Sequence, residues 1–186
     1  MPTPEAAAPV VPPLSILTES EREIAENVHQ FAVETIGPRS LAMDLANRMD
    51  PELVRQFFDL DLMGIEIPEE YGGLGQNFST AIAVIEALAR VDAACAVCVD
   101  VQNTLVDNAI LRWGSPELRA KYLPQLAKEK VGSYALSEAE SGSDAFALKT
   151  RAEKKGDRWV LNGGELRITN GLEEEVFPLF LDGGLS

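Results

Sequence analysis

Apolar residues recur at helical spacing through the first two-thirds of the chain and at short, broken intervals after that. Thr18-Glu19-Ser20-Glu21 has the form of a capping box. Ile24, Val28, Phe31 and Ile36 then follow as an apolar stripe, so a helix is predicted to run from there until Gly37-Pro38 stops it. Asp50-Pro51 opens a second helix carrying Leu53, Phe57, Phe58 and Leu60. Residues 63–75 (MGIEIPEEYGGLG) read as a long loop, punctuated by Pro68, Gly72, Gly73 and Gly75. Residues 78–112 contain little that breaks a helix and predict two helices meeting near 90–94. Ser115 caps a last helix, with Pro116 at its first position, running to about residue 128. Phe31, Phe57, Ile85, Leu88, Leu105 and Leu123 are the expected core.

Beyond residue 130 the pattern shortens. Residues 133–137, 147–152, 158–161, 166–169 and 176–181 are short runs separated by Gly, Asn and Asp, and they predict strands. Lys155-Gly156-Asp157 and Asn162-Gly163-Gly164 are expected hairpin turns. The predicted fold class is α+β. An all-α helical N-terminal domain (18–130) is followed by an incomplete antiparallel β domain (131–186), and the Pro- and Ala-rich residues 1–17 form a disordered tail. Strands without return partners would leave open edges.

Composition narrows the partners. A formal charge of −14 repels phosphate backbones and anionic lipid, so neither nucleic acid nor a membrane surface is an expected partner. No apolar run reaches the length of a membrane span. Residues 1–21 hold no Arg or Lys, so no import or secretion signal is read there. Cys95 and Cys98 have the spacing of a redox pair or half a zinc site. Their setting, VDAACAVCVD, is apolar, and the single His29 is distant in sequence. They are read as buried core thiols with no metal site.

The residues with candidate chemistry lie in YALSEAESGSD, from Tyr134 to Asp144. On physical grounds alone this is a strand running into a polar turn, or a nest of backbone N–H groups for an oxygen-rich ligand. The stretch resembles the signature of the acyl-CoA dehydrogenases, an aromatic, Leu-Ser-Glu, then Gly-Ser-Asp. DLMGIEIPEEYGGLG resembles the loop before that family's third helix, and Ile168-Thr169-Asn170-Gly171 resembles its second flavin-contacting strand. These elements occur in family order over about residues 18–180. VDAACAVCVDVQNTL, YLPQLAKEKVGS and SDAFALKTRAEKKGD are most similar to the short/branched-chain subfamily.

The resemblance implies an oxidoreductase that uses FAD to convert an acyl-CoA to a 2-enoyl-CoA. It implies an electron-transfer flavoprotein as electron acceptor and a homo-oligomer. It also implies the mitochondrial matrix in a eukaryote or the cytoplasm in a bacterium. Tyr134, Ala135, Leu136, Ser137, Gly142 and Ser143 would form the first flavin segment. Leu136 would offer backbone groups to the pyrimidine edge and Ser137 its hydroxyl to the isoalloxazine. Ser143 would touch the CoA portion of the substrate, and Asp144 would fix the loop. Arg167, Ile168 and Thr169 would form the second segment, with Thr169 near the redox-active nitrogen. Ala96 and Asp100 would shape the acyl pocket, unless that helix is plain core. Glu138 is matched to a structural role, not to the base.

Four departures stand out against the resembled pattern. Arg167 replaces a flavin-covering Trp, and Gly164-Glu165 replaces Ser-Lys. Glu140 and Ser141 occupy positions usually Gly and Ala, which brings an acidic group toward a phosphate-rich ligand. Pro178 interrupts a strand that should pair. The family carries its base in a later helical domain, so no catalytic residue is assigned in this chain. The chain alone is expected to be inactive and to bind FAD weakly. The alternative readings are an inactive fragment that serves as an interaction module, or an acyl-CoA-binding module without redox chemistry.

Overall fold

A computed structural model describes residues 16–171 together with Val176, Pro178 and Leu179. The expected tail therefore lies almost wholly outside the described residues, as does most of the run 176–181.

The helical half follows its caps. In α1 (Glu19–Phe31) the Thr18 side chain accepts from the Glu21 amide at 3.2 Å, and the Thr18 amide donates back to the Glu21 carboxylate at 2.7 Å. These two bonds satisfy donors that a helix start otherwise leaves orphaned. Asp50, Asn77, Asp92 and Ser115 cap α3 (Pro51–Asp59), α4 (Phe78–Ala89), α5 (Ala93–Asp100) and α7 (Pro116–Lys128) with the side-chain acceptor alone.

One predicted stop is not a stop. Gly37-Pro38 begins α2 (Gly37–Ala46) directly after a π-helical turn (Ala32–Ile36). The widened turn lets the Gly37 amide reach back to the Ala32 carbonyl. Pro38 then occupies a first-turn position, where its missing N–H is not needed. The helix ends instead at Asn47, in the left-handed conformation at φ 48°. α2 buries none of its residues and leaves Leu41 and Leu45 exposed.

Phe57, Leu88 and Leu123 are fully buried, as expected, and Phe31 meets Phe57 edge-on at 6.4 Å. Phe31 and Ile85 pack half-buried against the core. Leu105 is 38% exposed, contrary to expectation. It lies on a second π-helical turn (Val101–Asp107), which separates α5 from α6 (Asn108–Trp113). The i→i+5 register turns Gln102, Asn103, Val106 and Asp107 inward and Leu105 out. Cys95 and Cys98 sit one turn apart on α5 in the core, and burial pushes the pKa of the Cys95 thiol well above its ordinary value.

The β half contains one regular antiparallel hairpin among the described residues, β1 (Arg151–Lys155) with β2 (Arg158–Asn162), registered Glu153 opposite Val160. Gly156, at φ 67°, supplies the left-handed turn between them, at the expected position. Other expected strands are corrected. Residues 133–137 make only isolated bridges, and 147–150 lie outside any strand. Residues 166–169 do not form a strand, because Arg167 (φ 56°) and Asn170 (φ 65°) are both left-handed and break the extended backbone. Asn162-Gly163-Gly164 is accordingly not a hairpin turn. Pro178 does not prevent pairing: its carbonyl accepts from the Ala135 amide at 3.0 Å, beside parallel bridges that join Gly132 to Val176 and Ala135 to Leu179. A bridge that uses the Pro carbonyl does not require its missing N–H.

Candidate functional site

The site is anchored in the helical core by two buried amides on the second π turn. Gln102 donates to the carbonyls of Leu126 (3.0 Å) and Lys130 (3.2 Å) and accepts from the Gly132 amide at 2.7 Å. It thereby fixes where the chain leaves α7 and enters the signature segment. Asn103 accepts from the Ile65 amide at 2.8 Å and donates to the carbonyls of Leu62 and Val99, tying the 63–75 loop to the same turn. Side-chain amides that satisfy buried backbone groups in this way specify one arrangement of loop and helix.

From Gly132 the signature segment runs antiparallel to the second segment. Glu138 bridges Glu165, and the Leu166 amide donates to the Ser137 carbonyl at 2.7 Å. The Ser133 hydroxyl donates to the Thr169 carbonyl, and the Asn170 amide group donates to the Gly132 carbonyl at 3.2 Å. Two stretches thirty residues apart in sequence are thus zipped side by side. Tyr134, Leu136, Ile168 and Thr169 are half-buried, Ala135 is buried, and Ser137 and Arg167 are exposed. Gly142 and Ser143 are exposed on the loop that follows, and no hydrogen bond among the described residues ties them to 165–170.

That loop is held from within. Ser141 is buried, exchanges backbone hydrogen bonds with Glu138, and donates its hydroxyl to the Asp144 carbonyl at 2.9 Å. Asp144 accepts from the Phe146 amide at 3.2 Å. Glu138 accepts from the Lys149 amide (2.7 Å) and the Thr150 amide (2.8 Å). Hydrogen bonding to Thr150, its side chain first, holds the Glu138 pKa below the usual carboxylate range. A carboxylate committed to two backbone donors suits scaffolding, not proton abstraction. Glu140 pairs with the Lys149 ammonium, so its charge does not stand alone before a ligand. The hydroxyls of Ser137, Ser143 and Thr169 make no hydrogen bond among the described residues and are available to a ligand.

Beside Tyr134 a groove of about 190 Å³ opens between the start of α4, the second π turn and α6, lined by Phe78, Thr104, Leu105, Ala109 and Trp113. Leu105 belongs to this wall and not to the core. Of the two expected pocket-shaping residues, Ala96 is core, and Asp100 is half-buried and accepts from the Thr104 hydroxyl at 2.8 Å. Sequence reasoning missed the roles of Gln102, Asn103 and Ser141. It also missed Asp107, whose carboxyl is fully buried with no partner for either oxygen among the described residues. Burial, reinforced by the nearby Glu66 carboxylate, pushes its pKa well above the usual carboxylate range. A polar residue within an apolar run on a helix was the available signal.

Comparison with known proteins follows this geometry. The family described as acyl-CoA dehydrogenase, N-terminal domain, matches residues 18–130. A probable short/branched chain specific acyl-CoA dehydrogenase of Dictyostelium discoideum is 48% identical over 168 residues, 90% of this chain and 41% of the relative. The mitochondrial short/branched chain specific acyl-CoA dehydrogenase of Bos taurus is 42% identical over 173 residues, 93% of this chain and 39% of its own length. The crystal structure of a glutaryl-CoA dehydrogenase from Mycobacterium smegmatis in complex with FADH2 superimposes with a TM-score of 0.84 at 31% identity, covering 89% of this chain and 43% of that one. The chain thus spans about two-fifths of the length of the curated relatives it matches. With a domain profile over residues 18–130 and the zipped signature segments in agreement, this chain belongs to the acyl-CoA dehydrogenase family.

Proposed function

We propose that the chain provides the helical floor and the first cofactor-facing segments of an FAD-dependent dehydrogenase acting on a short or branched acyl-CoA. The supporting observation is the antiparallel zipping of 132–138 against 165–170, with the Ser137, Ser143 and Thr169 hydroxyls left open. Bound FAD supplies the hydride acceptor for α,β-dehydrogenation of the thioester. The chain's own groups bind and orient. Leu136 backbone groups and the Ser137 hydroxyl hold the flavin pyrimidine side. Tyr134, Ala135, Gly142 and Ile168 shape the surface around it, and Thr169 offers its hydroxyl to the ring. Arg167, exposed beside Ile168, presents a flat guanidinium suited to stacking on a ring in place of a Trp. Ser143 contacts the CoA portion of the substrate, and the groove at Phe78, Thr104 and Leu105 receives the acyl end.

The donor set fits the cofactor. Hydroxyls and backbone amides suit a neutral, carbonyl-rich ring, and Gly142 has open space on its Cβ side for close ligand approach. Electron transfer onward to an electron-transfer flavoprotein, a homo-oligomeric assembly, and residence in the mitochondrial matrix or a bacterial cytoplasm complete the reading. The test is titration of the purified protein with FAD, followed by flavin fluorescence. Saturable quenching is expected, weakened by Ser137→Ala and Thr169→Val together. Quenching unchanged by that pair overturns the assignment.

A further inference from the structure

We infer that Glu138, Thr150 and Glu165 form a pH-dependent clasp that closes the two candidate flavin segments onto each other only when Glu138 is charged and Glu165 is not.

The geometry carries this. Glu138 and Glu165 face each other in an antiparallel bridge, the point where the signature segment meets the second one. Thr150 stands between them: its amide donates to Glu138 at 2.8 Å and its hydroxyl to Glu165 at 3.4 Å. Each Glu138 oxygen receives one backbone donor, from the Lys149 and Thr150 amides, which favours the carboxylate over the acid. Glu165 is placed differently. Among the described residues its second oxygen is buried and has no partner, so a charge on Glu165 is offset only by the long Thr150 hydroxyl bond to the other oxygen. Among the described residues, the charges that act on the pair are Glu138 itself, which repels a charge on Glu165, and Lys149. The Lys149 ammonium pairs with Glu140, and Lys149 acts on Glu138 alone of the two. Gly163 packs so closely on Thr150 that a Cβ there would collide with its side chain, which keeps Thr150 in place between the carboxyls.

The acidities move apart accordingly. Hydrogen bonds to Thr150 lead in lowering Glu138, while burial leads, and the Glu138 charge follows, in raising Glu165. Their linkage to pH has opposite signs. Glu138, whose pKa is lowered in the closed joint, contributes closing energy at pH above its ordinary pKa and loses it as pH falls through the lowered value. Glu165, whose pKa is raised in the closed joint, contributes at pH below its ordinary pKa and loses it as pH rises through the raised value. Closure is therefore strongest between the two. The Leu166 amide, which donates to the Ser137 carbonyl next to the bridge, reports on the joint. Glu165 and Glu138 are positioning residues: they hold the backbone that presents Ser137 and do not touch the cofactor.

The consequence for flavin binding rests on the proposed function, whereas the clasp itself is tested without FAD. Hydrogen-exchange protection of the Leu166 and Thr150 amides, corrected for intrinsic exchange, is measured across pH on the whole chain. The carboxyl of Glu165 is titrated by carbon NMR in the same samples. The wild type is expected to give a bell, each pH unit across a limb changing the closing equilibrium by up to about tenfold. Glu165→Gln should remove the alkaline limb while keeping the fold. Glu138→Gln should move the alkaline limb to lower pH, because the repelling charge is gone. A Glu165 that titrates like an ordinary side chain, or an alkaline limb identical in wild type and Glu165→Gln, overturns the clasp. FAD affinity measured over the same range separates the two readings. Affinity that follows the bell supports both. A bell in protection with no FAD binding sustains the clasp and defeats the flavin assignment.

Discussion

Asp107 gives the sharpest stability prediction. Its carboxyl is fully buried on the second π turn, both oxygens lack partners among the described residues, and the nearby Glu66 carboxylate has the same sign. Glu66 itself is held by the Asn108 side-chain amide at 2.8 Å, so it cannot swing away without losing that bond. A carboxyl whose acidity is weakened by folding binds a proton that the unfolded chain releases. Native stability is then complete below its ordinary value of about 3.8 and falls as pH rises toward the folded value. The slope is about 1.4 kcal/mol per pH unit within that window. Asp107→Asn keeps the shape and removes the proton dependence. At about pH 8 the variant should exceed wild type by roughly 1–3 kcal/mol, the usual cost of an unsatisfied buried group. For a chain of this size that is roughly 2–12 °C in Tm. At about pH 4 the two should melt together. Far-UV circular dichroism melts at both pH values decide. A variant that is less stable by the same amount at each pH would refute the reasoning, because it would show Asp107 making a favourable contact regardless of charge.

Three further outcomes are expected. Gln102→Leu should destabilise by roughly 3 kcal/mol, since it orphans the Gly132 amide and two carbonyls, and amide exchange should show Gly132 losing protection before the α1 core. Gly132→Ala should cost about 1–3 kcal/mol, because its Cβ would lie 3.1 Å from Val106 Cβ and nearer still to a methyl group. Adding Val106→Ala should recover part of that loss in chemical denaturation; no recovery would mean that Gly132 matters for another reason. Cys95 and Cys98 should resist alkylation in the native protein and react fully only in denaturant, given their burial and the weakened acidity of Cys95. Rapid native labelling measured by intact mass would place them outside the core.

The helical half was legible because its signals are local. Thr18, Asp50 and Ser115 each announce a helix start through a single side chain, and the apolar residues after them keep one period. Asn77 and Asp92 cap α4 and α5 in the structure, but the sequence reading does not identify them as caps. Where the period changed, the reading failed. The two π turns shift register by one residue, which carried the helix through Gly37-Pro38 and turned Leu105 outward. The β half was less legible because its pairings are long-range. Nothing near Ser137 says that Leu166 will donate to it, and a run such as Leu166 to Thr169 looks extended until Arg167 and Asn170 adopt left-handed backbone. The candidate site residues were read from a motif, whereas the groups that hold them in place, Gln102 and Ser141, carry no motif of their own.

The central claim is that residues 134–143 and 167–169 form one cofactor-facing surface. Amide chemical-shift mapping of the isotope-labelled protein during FAD titration tests it most directly. Saturable shifts concentrated at Leu136, Ser137, Gly142, Ser143 and Thr169, with Arg167 and Ile168 following at the same apparent affinity, are the predicted result. Shifts confined to the helical half around α2, or shifts that never reach the second segment at saturating FAD, would contradict it.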